Sequence, residues 1–194
     1  MLKTICALFI LCWTSWSTAA ESAKPLTTML LVARADLPDP NFKDSIVLVM
    51  NHLGPVPAGF IVNRPTRVLV SELFPDIERL AGRDDKVYFG GPVEVDSVSF
   101  MFRAAKPPEN ATEVLAGVYF STNVKLLRDL LRRDSPMEGL RIFAGYSGWS
   151  PGQLENEIAR GDWTLAPADS TTIFDHKSEH PWPEQAPPGS LRRT

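Results

Sequence analysis

This 194-residue chain has few cysteines, no surplus of basic residues and no long hydrophobic run. Its two cysteines, Cys6 and Cys12, lie close to the N-terminus, and 20 basic residues face 23 acidic ones. The apolar stretch 5–13 is shorter than the ~20 residues that a membrane-spanning helix requires. These absences argue against a disulfide framework, against a permanent membrane anchor and against general attraction to the nucleic-acid backbone.

The first twenty residues have the layout of a secretory signal. Lys3 precedes the apolar stretch, and small residues follow it up to Ala19 and Ala20. Cleavage there removes one positive charge and both cysteines, which changes the net charge from −3 to −4 and leaves no thiolate nucleophile. We therefore expect an exported protein, periplasmic in a Gram-negative bacterium and without a membrane anchor after cleavage; a cytoplasmic location is the alternative.

The remaining chain divides into a linker, one domain and a tail. Residues 21–26 form the linker, residues 27–182 the domain, and residues 183–194 a proline-rich segment whose composition is typical of disorder. Within the domain, apolar runs between turn residues predict strands, and apolar residues at helical spacing predict helices. The strands fall at 28–35, 45–50, 58–63, 87–90, 97–103, 114–120 and 140–145, and the helices at 73–82, 123–133 and 150–161. This order predicts a single α+β domain with a mixed sheet and about three flanking helices.

The start of the third predicted helix carries two interpretations. Ser150, Pro151 and Gln153 fit a capping box with proline at the first helical position. The stretch from Gly148 to Gly152 also matches the G-x-S-x-G pattern of a hydrolase, with Ser150 as nucleophile. Pro151 has no backbone N–H to stabilise an oxyanion, so a capping serine is the favoured interpretation.

Two further patterns could carry chemistry. His176 and His180 have the spacing of metal ligands on a helix, but nearby proline favours a solvated loop. The second predicted helix presents basic side chains to solvent beside acidic ones, which is more typical of a solvated face than of a nucleic-acid surface. The sequence contains no nucleotide-binding fingerprint, so we predict no cofactor.

Glycine-rich turns indicate a binding surface. Glycine permits positive φ angles and close backbone approach, and such turns follow two predicted strands, at Gly91 and at residues 145–149. Asn63 and Arg64 could add donors if they fold nearby, and a helix start favours anions. We expect a small anionic ligand or a protein partner to be bound by a set of residues from these segments: Asn63, Arg64, Gly91, Tyr146, Trp149 and Gln153.

In their order, these motifs resemble the YqgE/AlgH family, a bacterial family without an assigned biochemical role. The resemblance covers residues 27–182 and rests on the stretches 30–33, 39–42, 45–48, 59–65, 87–93, 145–155, 163, 167–169 and 173–175. It implies a bent sheet that forms a partial barrel, and shared polar or aromatic residues at Asn63, Arg64, Tyr146, Trp149 and Gln153. Relatives do not depend on serine at the position of Ser150. They are generally cytoplasmic and continue into a helical C-terminus, where this chain has a proline-rich tail.

Three functions follow as hypotheses. The leading one is a non-enzymatic domain that binds a ligand or partner, in a regulatory role for example. The second is a small serine hydrolase that uses Ser150. The third is a transcriptional regulator that binds DNA. The resemblance implies the name transcriptional regulator for some relatives, but neither the charge nor any helix-turn-helix pattern supports DNA binding.

Overall fold

The computed structural model describes residues 28–175, which form ten strands and four α-helices. The predicted signal, the proline-rich tail, His176 and His180 lie outside these residues. The strands are β1 (Thr28–Ala33), β2 (Ile46–Met50), β3 (Ala58–Ile61), β4 (Pro65–Leu69), β5 (Lys86–Phe89), β6 (Val93–Arg103), β7 (Thr112–Leu115), β8 (Val118–Ser121), β9 (Leu140–Gly148) and β10 (Trp163–Pro167). The helices are α1 (Val70–Leu73), α2 (Val124–Leu131), α3 (Gln153–Ala159) and α4 (Ser170–Phe174).

The strands form one mixed, curled sheet. Its continuous path runs β10-β1-β2-β3-β9-β6-β8-β7, with β4 paired to β5 and β5 paired to β9. Every pair is antiparallel except β5 with β9. Strands β1 and β7 lie near opposite ends of this path, yet the Thr28 hydroxyl of β1 donates to the Val114 carbonyl of β7 over 2.7 Å. The sheet therefore almost closes on itself. The predicted α+β class and partial barrel are confirmed.

Strand β2 explains why the sheet has two apolar faces. Side chains alternate between the faces of a strand, and all five residues of β2 are buried. Its even-numbered residues pack inside the curl against Phe60 and Phe143. Val47 and Val49 face the other way, toward the side that α3 covers.

The predicted helix over 73–82 is wrong. The structure has the short helix α1, an irregular link and a 3₁₀ turn at Glu78–Leu80. Pro75 lacks an N–H and disfavours helical geometry at the preceding residue, and Phe74 there has φ −130° and ψ 62°. Ile77 and Leu80 are still buried as the apolar spacing predicts, whereas Leu73 is exposed.

Two other predicted elements need correction. The single strand over 114–120 is a hairpin of β7 and β8, which turns at Gly117 with φ +72°. The third helix begins at Gln153 because its N-cap is Gly152, whose φ of +77° is not helical. The Gln153 side chain accepts the Ser150 N–H over 3.0 Å, but the Ser150 hydroxyl does not cap the helix.

Helices α2 and α4 have conventional polar caps. Asn123 accepts the Leu126 N–H over 2.9 Å, in agreement with the predicted second helix. Asp169 accepts the Thr172 N–H over 2.8 Å at the start of α4, which the sequence analysis does not predict. No helix within residues 28–175 is long and apolar enough to cross a membrane.

Candidate functional site

A cleft of about 550 Å³ opens between the loop that follows β1 and helix α3. The loop supplies one wall and α3 the other, while the first residue of β10 lies between them. The lining residues are Arg34, Leu37, Pro38, Asp39, Phe42, Gln153, Glu157, Arg160, Asp162 and Trp163. Of the predicted site residues, Gln153 lines this cleft directly.

Three aromatic rings form the base of the cleft and its support. Trp149 and Trp163 are buried and meet edge to face, with ring centroids 6.4 Å apart. Phe42 stacks on Trp149 at 6.3 Å and meets the edge of Trp163 at 5.6 Å. Trp149 therefore supports the cleft from beneath, as a core residue adjacent to the site.

The Glu157 carboxylate binds both tryptophans. Its Oε2 accepts the indole N–H of Trp149 over 2.8 Å and that of Trp163 over 2.9 Å. Its Oε1 accepts a hydrogen bond from Gln153 Nε2 over 2.9 Å. Since three neutral donors already satisfy this carboxylate, its first role is to join α3 to the aromatic base.

Two guanidinium groups share one carboxylate at the rim. Arg160 donates to Asp162 Oδ2 through Nε at 3.1 Å and Nη2 at 2.7 Å. Arg34 Nη1 lies 3.8 Å from Asp162 Oδ1, and Arg34 Nε lies 3.3 Å from Asp36. The Arg34 and Arg160 side chains are 40% and 61% exposed, whereas the Asp162 side chain is 11% exposed. The two guanidinium groups and the two carboxylates at this corner therefore balance in charge, and guanidinium donors remain open to solvent.

Asn63 and Arg64 hold the loop wall in place. Asn63 accepts the Ile46 N–H over 2.9 Å and donates to the Asp44 carbonyl over 2.9 Å. Arg64 donates to the carbonyls of Asn41 and Lys43, both over 2.6 Å. Burial lowers the pKa of the Arg64 guanidinium, an effect that the nearby Asp44 charge partly offsets. Both predicted residues thus position the loop, and neither lines the cleft.

Gly91 and Tyr146 belong to a strand crossing. Gly91 has φ +153°, and a Cβ at this position would collide with the Tyr146 backbone and the Ser147 hydroxyl. Ser147 in turn donates to the Gly90 carbonyl over 3.1 Å. Tyr146 packs against the interior core. The predicted set is therefore split: Gln153 lines the cleft, Asn63, Arg64 and Trp149 support its loop wall and base, and Gly91 and Tyr146 contact each other outside its lining.

Within residues 28–175, no acidic or basic side chain bonds to the Ser150 hydroxyl. It is exposed, and its N–H and carbonyl both bond to Gln153. The one histidine among residues 28–175 is His52, whose Nε2 lies 3.2 Å from the Glu113 carbonyl at the β7 edge. The same residues contain no group of three acidic or histidine side chains that could hold a metal ion.

The basic side chains of α2 and of the residues just after it are partly paired with carboxylates. Arg128 pairs with Asp76 at 2.6 Å, while Lys125 and Arg132 lie 3.8 and 3.6 Å from Asp129. Arg133 donates to three backbone carbonyls, at residues 130, 136 and 138, and burial lowers its pKa. Four basic side chains thus meet two carboxylates, and the Arg133 guanidinium is held by backbone carbonyls.

Several cleft residues escaped the sequence analysis. Gln153, Glu157 and Arg160 recur at i, i+4 and i+7, the spacing of one helix face, so the sequence does contain a signal for this wall. Arg34 and Phe42 have no such signal, because they join the site only when the β1–β2 loop folds over α3.

The similarity of the chain to known proteins agrees with this fold. A family model described as AlgH-like matches residues 30–187. The chain belongs to the AlgH-like family. The UPF0301 protein of Chlorobium phaeobacteroides is 36% identical to it over 164 residues, 84% of this chain and 86% of the relative. That of Methylococcus capsulatus is 38% identical over 160 residues, 79% and 86% of the two chains.

Two solved structures share the architecture of this AlgH-like domain. The crystal structure of a Corynebacterium diphtheriae protein matches with TM-score 0.64 and 27% identity, covering 86% of this chain and 88% of the other. The solution structure of the Pseudomonas aeruginosa AlgH protein matches with TM-score 0.62 and 29% identity, covering 76% and 80%. The recognition of the family from sequence is therefore confirmed. None of these four names states a reaction or a ligand.

Proposed function

We propose that this AlgH-like chain is a non-enzymatic binding domain whose site is the cleft between the β1–β2 loop and α3. One observation carries the proposal: an aromatic base lies beside the partly exposed guanidinium groups of Arg34 and Arg160, which keep N–H groups open beyond their contacts with Asp36 and Asp162. Binding sites are typically apolar concavities with a few polar groups that fix orientation, and about 550 Å³ lies within their usual range.

The ligand that fits this arrangement is anionic, with a carboxylate and an apolar part. Glu157 is already satisfied by neutral donors, and the Arg34 and Arg160 guanidinium groups keep outward N–H groups beyond those that contact Asp36 and Asp162. A ligand carboxylate would accept the outward N–H groups of Arg160 and Arg34, since guanidinium and carboxylate form charge-assisted bonds. The apolar part would lie against Trp163 and Phe42.

Thermal shift measurements with matched probes test this proposal. Phenylacetate should raise the unfolding midpoint and change tryptophan fluorescence, while phenylacetamide, which has the same shape without the charge, should do neither. Arg160→Gln should weaken the phenylacetate effect about tenfold, the equivalent of one charge-assisted hydrogen bond. Lys125→Gln makes the same charge change on α2 and serves as the control. Equal effects of the acid and the amide, or of the two variants, would contradict the proposal.

We also propose that the chain is exported. The support is the N-terminal layout of Lys3, the apolar stretch and the small residues that follow. Export would expose the cleft to ligands or partners outside the cytoplasm.

A further inference from the structure

The cleft lining carries more negative than positive charge. Its two guanidinium groups face three carboxylates, and Asp36, beside Arg34, adds a fourth at the rim. A ligand that brought only a carboxylate would increase this negative surplus, whereas an ammonium group on the same ligand would reduce it. The charge of the lining therefore favours a ligand that carries both groups.

Asp39 is the lining carboxylate that is open to such an ammonium group. The Glu157 carboxylate accepts three neutral donors, and Asp162 contacts both guanidinium groups. Asp39 is exposed, and its Oδ1 accepts the Asn41 N–H over 2.8 Å. Within the described part of the chain, no basic side chain pairs with Asp39 and no hydrogen bond reaches its Oδ2. This oxygen is therefore free to accept a donor from a ligand.

The β1–β2 loop fixes Asp39 in place close to Phe42. The Phe42 and Lys43 N–H groups donate to the Asp39 carbonyl over 3.1 and 2.9 Å. Arg64 in turn binds the carbonyls of Asn41 and Lys43. Because these four bonds already order the turn, little conformational entropy is lost when a ligand binds to it. The loop thus holds a carboxylate and an aromatic ring on one wall of the cleft.

We infer that the cleft binds a free amino acid with an apolar side chain. The ammonium group of the ligand donates to Asp39 Oδ2, and its carboxylate accepts the outward N–H groups of Arg160 and Arg34. Its side chain lies against Phe42 and Trp163. This inference rests on the proposed function, because it keeps the carboxylate and the apolar part of that ligand and adds the ammonium group.

Isothermal titration calorimetry with the full chain and three matched ligands tests the inference. L-phenylalanine carries all three groups, 3-phenylpropanoate lacks only the amino group, and 2-phenylethylamine lacks only the carboxylate. L-phenylalanine should bind about tenfold more tightly than either of the others, because each of them lacks one charge-assisted contact.

The variant Asp39→Asn separates the charge of this residue from its structural role. An amide oxygen still accepts the Asn41 N–H, so the turn is retained while the negative charge is lost. The variant should bind L-phenylalanine about tenfold more weakly than the parent protein does, and 3-phenylpropanoate no more weakly. Glu155→Gln makes the same charge change at an exposed α3 position outside the cleft lining and serves as the control. Thermal unfolding without ligand shows whether each variant keeps its fold.

The outcomes distinguish this inference from the proposed function. A preference for L-phenylalanine that is lost in Asp39→Asn and kept in Glu155→Gln supports the amino-acid site. If 3-phenylpropanoate binds as tightly as L-phenylalanine and Arg160→Gln weakens its binding, the inference is overturned and the proposed function stands. An unchanged affinity of Asp39→Asn for L-phenylalanine would also overturn the inference alone. If 2-phenylethylamine binds as tightly as L-phenylalanine, or if none of the three ligands binds, both are overturned.

Discussion

Trp163 donates its indole N–H to Oε2 of Glu157 over 2.9 Å, and this bond joins the base of the cleft to the helix that forms its wall. The same oxygen accepts the indole N–H of Trp149 at 2.8 Å. One carboxylate thus satisfies two buried donors from segments on either side of α3. These bonds therefore help to fix the shape of the cleft.

Removal of the Glu157 carboxylate should destabilise the domain. Glu157→Ala leaves two buried indole N–H groups without their acceptor, and we expect a loss of about 3 kcal/mol in the free energy of unfolding. Urea unfolding measures this loss. Glu155→Ala, on an exposed position of the same helix, should change stability by less than ~0.5 kcal/mol. Equal losses for the two variants would show that the indole bonds are unimportant.

Glycine at position 91 should be indispensable to the strand crossing. Gly91→Ala places a methyl group against the Tyr146 backbone and should cost at least ~3 kcal/mol or prevent folding. Gly82 is a matched control, because it also has positive φ, at +73°, but has open space around it. Gly82→Ala should cost only about 1 kcal/mol. Comparable unfolding midpoints for the two variants would contradict the role of close packing at Gly91.

Asp169 should contribute to acid sensitivity. Burial opposes its ionisation, but hydrogen bonds from Thr171 and Thr172 outweigh that effect and lower the pKa of Asp169 below its ordinary value. The unfolded chain then binds a proton that the folded chain does not, so stability is lost as pH falls below about 4. Asp169→Asn still caps α4 but cannot ionise.

Unfolding in urea between neutral and strongly acidic pH measures the Asp169 effect. The parent protein should be more stable than Asp169→Asn at neutral pH, and the difference should shrink as the pH falls through the lowered pKa. A difference that stays constant across this range would assign the effect of the variant to its amide and not to the charge of Asp169.

N-terminal sequencing of the protein purified from its native host tests the predicted export. The expected sequence begins near Ala20 or Glu21, after the small residues that end the predicted signal. Cell fractionation should place the processed protein outside the cytoplasm. An intact Met1 on the native protein would contradict the prediction of a cleaved signal.

Local sequence patterns were sufficient to predict much of the sheet. The predictions failed where a single residue altered the backbone conformation. The apolar runs over 45–50 and 58–63 correctly predicted β2 and β3, which pair antiparallel. The apolar spacing predicted a helix over 73–82, but α1 ends before Pro75. The predicted cap of the third helix was Ser150, but the N-cap of α3 is Gly152. Burial was easier to predict than element type, since Ile77 and Leu80 are buried although they are not in an α-helix.

The sequence by itself determined the fold class, most of the strands and membership of the family, because alternating apolar residues and glycine turns act over short distances. It also marked Asn63, Arg64, Trp149 and Gln153 near the eventual site. Only the tertiary structure decided which of them support the cleft and which line it. The cleft joins the β1–β2 loop to α3, segments near opposite ends of the domain, and no local pattern connects Arg34 with Asp162. Their approach depends on β10 pairing with β1, which is a long-range event.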